Sequence, residues 1–281
     1  MTEAGRFSPW DGTGAGSSTD LSVGADAVGP SLAFVKSAGR VLQILELFDE
    51  LQREARVSEI AERLGFPQSS TSMLLKSLTH LGYLDYDAGS RSFLPSPRVA
   101  LLGAWLDKGP VRDGSLVRML EHLSEHTGDT VILAARNAIF SQYVHVLQAR
   151  SAMRFHVPPG TRRLVVWSAT GTALLADSPD VEIGPLVRRT NAEASPEQPP
   201  IPIAAVLANL ARVRQEGYFF SRGLVTPGAG SIAVPLPKRI DKRDRPLAVA
   251  ISGLLADVEG REAQIVATIK DAIARFLLPD D

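Results

Sequence analysis

Across residues 37–51 apolar side chains return every three or four positions, at Val41, Leu42, Ile44, Leu45, Phe48 and Leu51, and leave Gln43, Glu46, Asp49 and Glu50 outside. That spacing predicts a helix with one buried stripe. A shorter stripe of Ile60, Ala61 and Leu64 predicts a second helix over 58–64, with Ser58 as its N-cap and Gly65 ending it. Pro67 opens a third helix, where a missing N–H costs nothing. It runs to about His80, with Thr71, Leu74, Leu75 and Leu78 facing inward. The period then shortens to two. Residues 83–86 and 91–94 alternate as strands around Asp87-Ala88-Gly89-Ser90, a hairpin turn signature. Helix, turn, helix and hairpin in this order predict a winged helix-turn-helix, a DNA-reading device.

Past Pro95 and Pro97 the pattern changes. A short apolar helix over 99–108 carries Leu101, Leu102, Trp105 and Leu106, too apolar to stand in water alone, and Gly109-Pro110 marks a boundary. Beyond it, helices are expected at 115–126, 171–177, 203–216 and 261–277. Strands are expected at 130–135, 142–148, 164–167, 231–236 and 247–251, with a Pro-rich loop at 190–202. Helices interleaved with hairpin-linked strands predict an α+β domain around one sheet. The expected organisation is a disordered tail (1–34), a winged helix-turn-helix (35–96), a linker helix (97–110) and a second domain (111–281). In the tail, GTGAG hints at a phosphate loop. No strand precedes it, and Ser17 stands where GxGxxG needs its third glycine.

Composition narrows the classes. The chain has 281 residues, room for two ordinary domains. It has no cysteine, which excludes disulfides and thiolate zinc sites. No apolar run approaches the roughly 20 residues of a membrane span, and the N-terminus does not read as a signal peptide, so a cytoplasmic protein is expected. The net charge is −1, unlike a non-specific nucleic-acid coat, so DNA affinity must come from a local patch. Over 63–98 there are four basic residues, Arg63, Lys76, Arg91 and Arg98, against Asp85 and Asp87, a net of +2.

The expected outward face of the third helix is Gln68, Ser69, Ser70, Ser72, Met73 and Lys76. Gln pairs with adenine N6/N7, and hydroxyls suit phosphate oxygens. Arg91, at the hairpin tip, is placed for a minor groove or a phosphate. Met73 has two readings, a half-buried filler or an apolar contact to a thymine methyl. His122 and His126 stand at i, i+4 on a helix, a spacing that can chelate a metal, but no carboxylate pair or cysteine completes a set, so no metal or other cofactor is expected. No G-x-S-x-G and no paired carboxylates anchor enzyme chemistry.

With these residues in place, the chain resembles the IclR family of bacterial transcriptional regulators over about residues 36–278. Ser37, Arg40, Leu42, Ile44, Leu45 and Phe48 fit S-x-x-R-x-L-x-I-L-x-x-F. The segment from Glu59 to Leu78 fits E-I-A-x-x-L-G-x-P-x-S-S/T…L-L-x-x-L and continues into L-G-Y-L. SATGTALLA (168–176) is similar to TA-x-GKALLA. VRQEGY (213–218) and GAGSIAVPL (228–236) are similar to I-R-x-x-G-Y…G-x-x-C-I-A-A-P-V. The resemblance implies a GAF-like second domain that binds small organic acids, often aromatic. It implies a homodimer or tetramer that controls catabolic genes without enzymatic activity. Some positions depart from the family pattern. Met73 stands for an Arg, Thr172 for a Lys, Ser221 for an Asp, Ser231 for a Cys, and Ala250 and Ser252 for paired serines. The expected effector site comprises Thr170, Gly171 and Thr172 at a helix start, Ser231 and Ser252 at strand termini, Ser221 at the position of the family's Asp, and Trp167, Met153 and Phe155 as apolar walls. For each serine the plainer reading is a hydroxyl satisfied by local backbone, and for Trp167 a place in the core. Competing functions are a winged helix used only for protein contact and an enzyme with a regulatory DNA-binding domain.

Overall fold

The computed structural model describes residues 35–103, 110–111, 113–151, 155–158, 160–194, 199–238, 240 and 245–278. The tail over 1–34, Trp105 and Leu106 of the expected linker helix, and Met153 lie outside the described residues.

The N-terminal unit is built from α1 (Lys36–Leu51), β1 (Ala55–Arg56), α2 (Val57–Leu64), α3 (Gln68–His80), β2 (Leu84–Asp87) and β3 (Ser92–Pro95). Ile44, Leu47 and Phe48 of α1, Ile60 of α2, Leu75 and Leu78 of α3, Leu84 and Phe93 close one small core. Gly65 ends α2 with φ 64°, a left-handed cap that a β-carbon would strain. Three sequence expectations shift. The second helix begins at Val57 with Arg56 as its N-cap and no side-chain cap bond, so Ser58 sits inside the first turn. The wing gains a third strand, because β1 pairs with β3 through Ala55↔Phe93 and Arg56↔Ser92. A two-residue strand has no periodicity to read. Leu74, expected inward, is only half-buried.

After the wing, α4 (Pro97–Leu101) is capped by the Ser96 hydroxyl, which accepts from the Arg98 N–H. It is shorter than the helix expected over 99–108, whose later residues are largely outside the described ones.

The C-terminal unit contains α5 (Ser115–Thr127), β4 (Thr130–Asn137), β5 (Phe140–Leu147), β6 (Arg162–Leu164), α6 (Ala169–Leu174), α7 (Asp180–Glu193), α8 (Ile203–Glu216), β7 (Phe219–Arg222), β8 (Ala229–Pro235), β9 (Leu247–Leu254), α9 (Leu255–Gly260) and α10 (Glu262–Leu277). The sheet runs β6-β5-β4-β9-β8-β7, with every neighbour antiparallel. One face, with Val131, Leu133, Ile232, Val249 and Ile251, packs on α5, α9 and α10. The other, with Ile132, Ala134, Ala233, Ala248 and Ala250, packs on α6, α7 and α8. The α+β reading with one sheet therefore holds, and the four alanines explain how α6 lies close on the strands.

The strand expected at 164–167 is displaced. β6 ends at Leu164, and Val165 and Val166 turn inward as fully buried core ahead of α6. Besides β1 in the N-terminal unit, three elements of this unit are not predicted by the sequence, α7, β7 and α9, and α7 runs to Glu193, into the loop expected at 190–202. No helix among the described residues is long and apolar enough to cross a membrane.

Candidate functional site

Two regions carry chemistry. The first is the outward face of α3. Its buried side is Thr71, Leu75 and Leu78. Gln68, Ser69, Met73 and Lys76 are exposed, and Ser70 and Ser72 are half-exposed. The helix has no acidic residue. The Ser70 hydroxyl donates back to the Pro67 carbonyl at 2.9 Å, so its proton is engaged. Ser69 and Ser72 have no side-chain partner among the described residues, and Lys76 has no ion-pair partner there. The wing packs against α3 through β2. Its turn is held by Asp87, which accepts from the Gly89 N–H at 2.7 Å and from the Ser90 hydroxyl at 3.0 Å. These bonds hold the Asp87 carboxyl below its ordinary value, the Gly89 N–H contributing most. Arg91 follows at φ 55°, exposed and without an ion pair among the described residues. A cation on a pre-shaped turn suits phosphate or a minor groove.

The second region lies on the α6 face of the large sheet. Register places Thr130 opposite Ser252, Ser252 opposite Ser231, and Ser231 opposite Ser221. Each is two positions from a residue of the α6-face core: Ile132, Ala250, Ala233 and Phe219 respectively. Side chains alternate along a strand, so the four hydroxyls form a row across β4, β9, β8 and β7. Along that row the Thr130 oxygen accepts from the Ala149 N–H at 3.1 Å. Ser231 and Ser252 bond each other at 2.7 Å. Ser221 is 6% exposed, and its hydroxyl has no partner among the described residues. Ser231 and Ser252 thus sit within their strands rather than at the ends where the sequence placed them. Thr130 was missed, because cross-strand register is not written in local spacing.

Ser221 also borders an open cleft of about 430 Å³ between α8 and the edge strand β7. Trp167, Ala205, Ala208, Phe219 and Leu224 give it apolar walls, and Asn209 and Arg212 a polar side. Arg212 reaches Glu216 only at 3.9 Å and lies over the Phe219 ring, 5.9 Å from its centre. Sequence reasoning missed Asn209 and Arg212. The signal was their i, i+3 placement on the polar side of a readable helix. Ser231 and Ser252 are outside the cavity's lining, and so are Thr170, Gly171 and Thr172.

Those three residues do not join the row. The Ser168 hydroxyl caps α6 by accepting the Gly171 N–H at 3.1 Å. Thr172 donates to the Ser168 carbonyl at 2.9 Å, and Thr170 accepts from Ser141 at 2.8 Å. A methyl on Gly171 would overlap the Val165 carbonyl, so this glycine is needed for close packing. Nearby, burial pushes the Tyr143 phenol up, with Arg163 and Thr170 opposing. Phe155 is half-buried outside the cavity's lining.

His122 and His126 stack with ring centres 3.8 Å apart, and the His126 Nδ1 lies 2.8 Å from the His122 carbonyl. Among the described residues no three His, Cys, Asp or Glu side chains gather as a metal site.

A family model described as the IclR helix-turn-helix domain matches residues 37–88. One described as the bacterial transcriptional regulator IclR C-terminal matches residues 106–276. The HTH-type transcriptional regulator BhcR of Paracoccus denitrificans is 26% identical over 205 residues, 72% of each chain. The HTH-type transcriptional regulator XynR of Escherichia coli is 25% identical over 211 residues, covering 73% of this chain and 81% of that one. The fold is that of the effector domain of an IclR regulator from Acinetobacter sp. ADP1, with TM-score 0.55 at 24% identity over 60% of this chain and 96% of that one. It is also that of Thermotoga maritima IclR, with TM-score 0.53 at 18% identity over 86% of this chain and 98% of that one.

Proposed function

The chain belongs to the IclR family of bacterial transcriptional regulators, and from that premise we propose that its α3 and wing bind an operator under the control of a small carboxylated effector. The Ser221 hydroxyl carries the sensing part: its residue is largely buried, it has no hydrogen-bond partner among the described residues, and it borders an open cleft with aromatic walls and a nearby guanidinium. A carboxylate there meets a hydroxyl donor and Arg212, and an aromatic body meets Trp167 and Phe219. Ser231 and Ser252 extend the polar floor inward from Ser221. Thr170, Gly171 and Thr172 support the floor by fixing α6 against it.

On the DNA side, Gln68, Ser69, Ser72, Met73 and Lys76 face the major groove, Ser70 stands beside them, and Arg91 holds the backbone or minor groove. The active species is a homodimer joined through α1 and the segment that begins with α4. Leu42, Leu101 and Leu102 are 60%, 67% and 51% exposed, and a second copy covers them.

A thermal-shift screen of aromatic and aliphatic carboxylic acids tests the effector site. Hits are expected in the wild type and weakened in Ser221→Val and Arg212→Ala. Hits that both variants bind unchanged place the site elsewhere. No stabilising acid at all makes the domain a dimeriser without a carboxylate effector.

A further inference from the structure

Met73 occupies the middle of the α3 outward face and is 69% exposed. Its neighbours on that face are Ser69 one turn before, Ser72 beside it and Lys76 one turn after. All are polar, and Met73 is the only large apolar side chain on α3 with this exposure. The inward positions are already filled by Thr71, Leu75 and Leu78, so Met73 is not needed to close the small core. The reading of Met73 as a half-buried filler is thereby overturned. A thioether donates no hydrogen bond and accepts weakly. It cannot read the donor and acceptor pattern of a base edge. The one apolar feature that a standard base pair presents in the major groove is the C5-methyl of thymine.

We propose that Met73 is a specificity-determining residue that selects thymine at one position of each half-site by packing its thioether against the C5-methyl. The unbranched side chain has three rotatable bonds and can follow the methyl across a groove floor. Ser69 and Ser72 are small enough to let the helix approach closely. Lys76 anchors the helix beyond Met73. The inference rests on α3 being the groove-entering helix, a reading that the salt dependence of Lys76→Ala tests separately.

The experiment begins with the full-length chain selecting its preferred duplex from a random pool. Each thymine of that duplex is then replaced singly by uracil, which removes one methyl and leaves the hydrogen-bonding edge unchanged. Affinities are measured at fixed salt for the wild type, Met73→Ala and Met73→Gln. The expected result is one thymine per half-site whose replacement weakens the wild type about fourfold, the equilibrium equivalent of one buried methyl. That penalty disappears in both variants, which retain binding through the remaining contacts. Placing 5-methylcytosine at that position should bind the wild type better than cytosine does, by a similar factor. Three results overturn the proposal: a selected site without such a thymine, no loss with uracil at any position, or a uracil penalty that survives in both variants. A chain that selects no duplex overturns the groove-entering reading of α3 itself.

Discussion

The hydroxyls of Ser231 and Ser252 meet at 2.7 Å across the β8–β9 ladder, 21 residues apart in sequence and directly opposite in register. They tie the two central members of a four-hydroxyl row whose outer member, Ser221, has no hydrogen-bond partner among the described residues. Breaking the pair leaves one half-buried hydroxyl without its partner. Ser231→Ala should lower stability by about 1 kcal/mol, read as a lower urea midpoint at unchanged slope. A neutral result would mean that water replaces the bond.

Gly171 gives a sharper test of packing. Its α-carbon lies against the Val165 backbone, and an added methyl has no space. Gly171→Ala should cost about 1–3 kcal/mol through overpacking, although alanine is the better helix former. Denaturant unfolding measures it. Stabilisation would show that α6 can move away from the sheet freely.

Lys76 and Arg91 should each hold one phosphate. The slope of log K against log salt should flatten by roughly 0.9 in each alanine variant. Unchanged slopes in both would remove α3 and the wing from the interface.

The His122 imidazole is held below its ordinary value of 6.5 by partial burial, and further by the like charge of His126. A histidine with a depressed folded value favours the fold while neutral. That contribution is fully present above pH 6.5 and is lost as pH falls through the lower folded value. NMR titration of the ring should show His122 titrating below 6.5 and moving up in His126→Ala. A wild-type value at or above 6.5 contradicts the geometry.

Much of this was legible in the sequence because it is local. The stripe of Ile44 and Phe48, the Leu75 and Leu78 pair and the alternation around Asp87 through Ser90 specify helices and a hairpin through spacing alone. What failed to show was non-local, short or interrupted by a proline. β7 is four residues, Phe-Phe-Ser-Arg, and has no clean alternation. In α7 the internal Pro185 disguised a real stripe of Ile183, Val187 and Thr190. At the site, Ser221, Ser231 and Ser252 were found by resemblance to a family motif, but their common row with Thr130 depends on strand register. Gly171 was visible as a special residue, yet only the approach of Val165 gives its physical reason.

The dimer has its own test. Leu101→Asp with Leu102→Asp should shift the chain from dimer to monomer in sedimentation while the domains keep their helical signal. A dimer of native stability in that variant would move the interface off α4.

Occupancy beside Ser221 should change DNA affinity. The direct measurement is the affinity of the full chain for its selected duplex, with and without a carboxylate whose binding alters the tryptophan fluorescence and no longer does so in Trp167→Phe. A coupling free energy of about 1–3 kcal/mol predicts a shift of roughly 5- to 150-fold, abolished by Ser221→Val. Saturating fluorescence change with an unaltered DNA affinity would contradict the account.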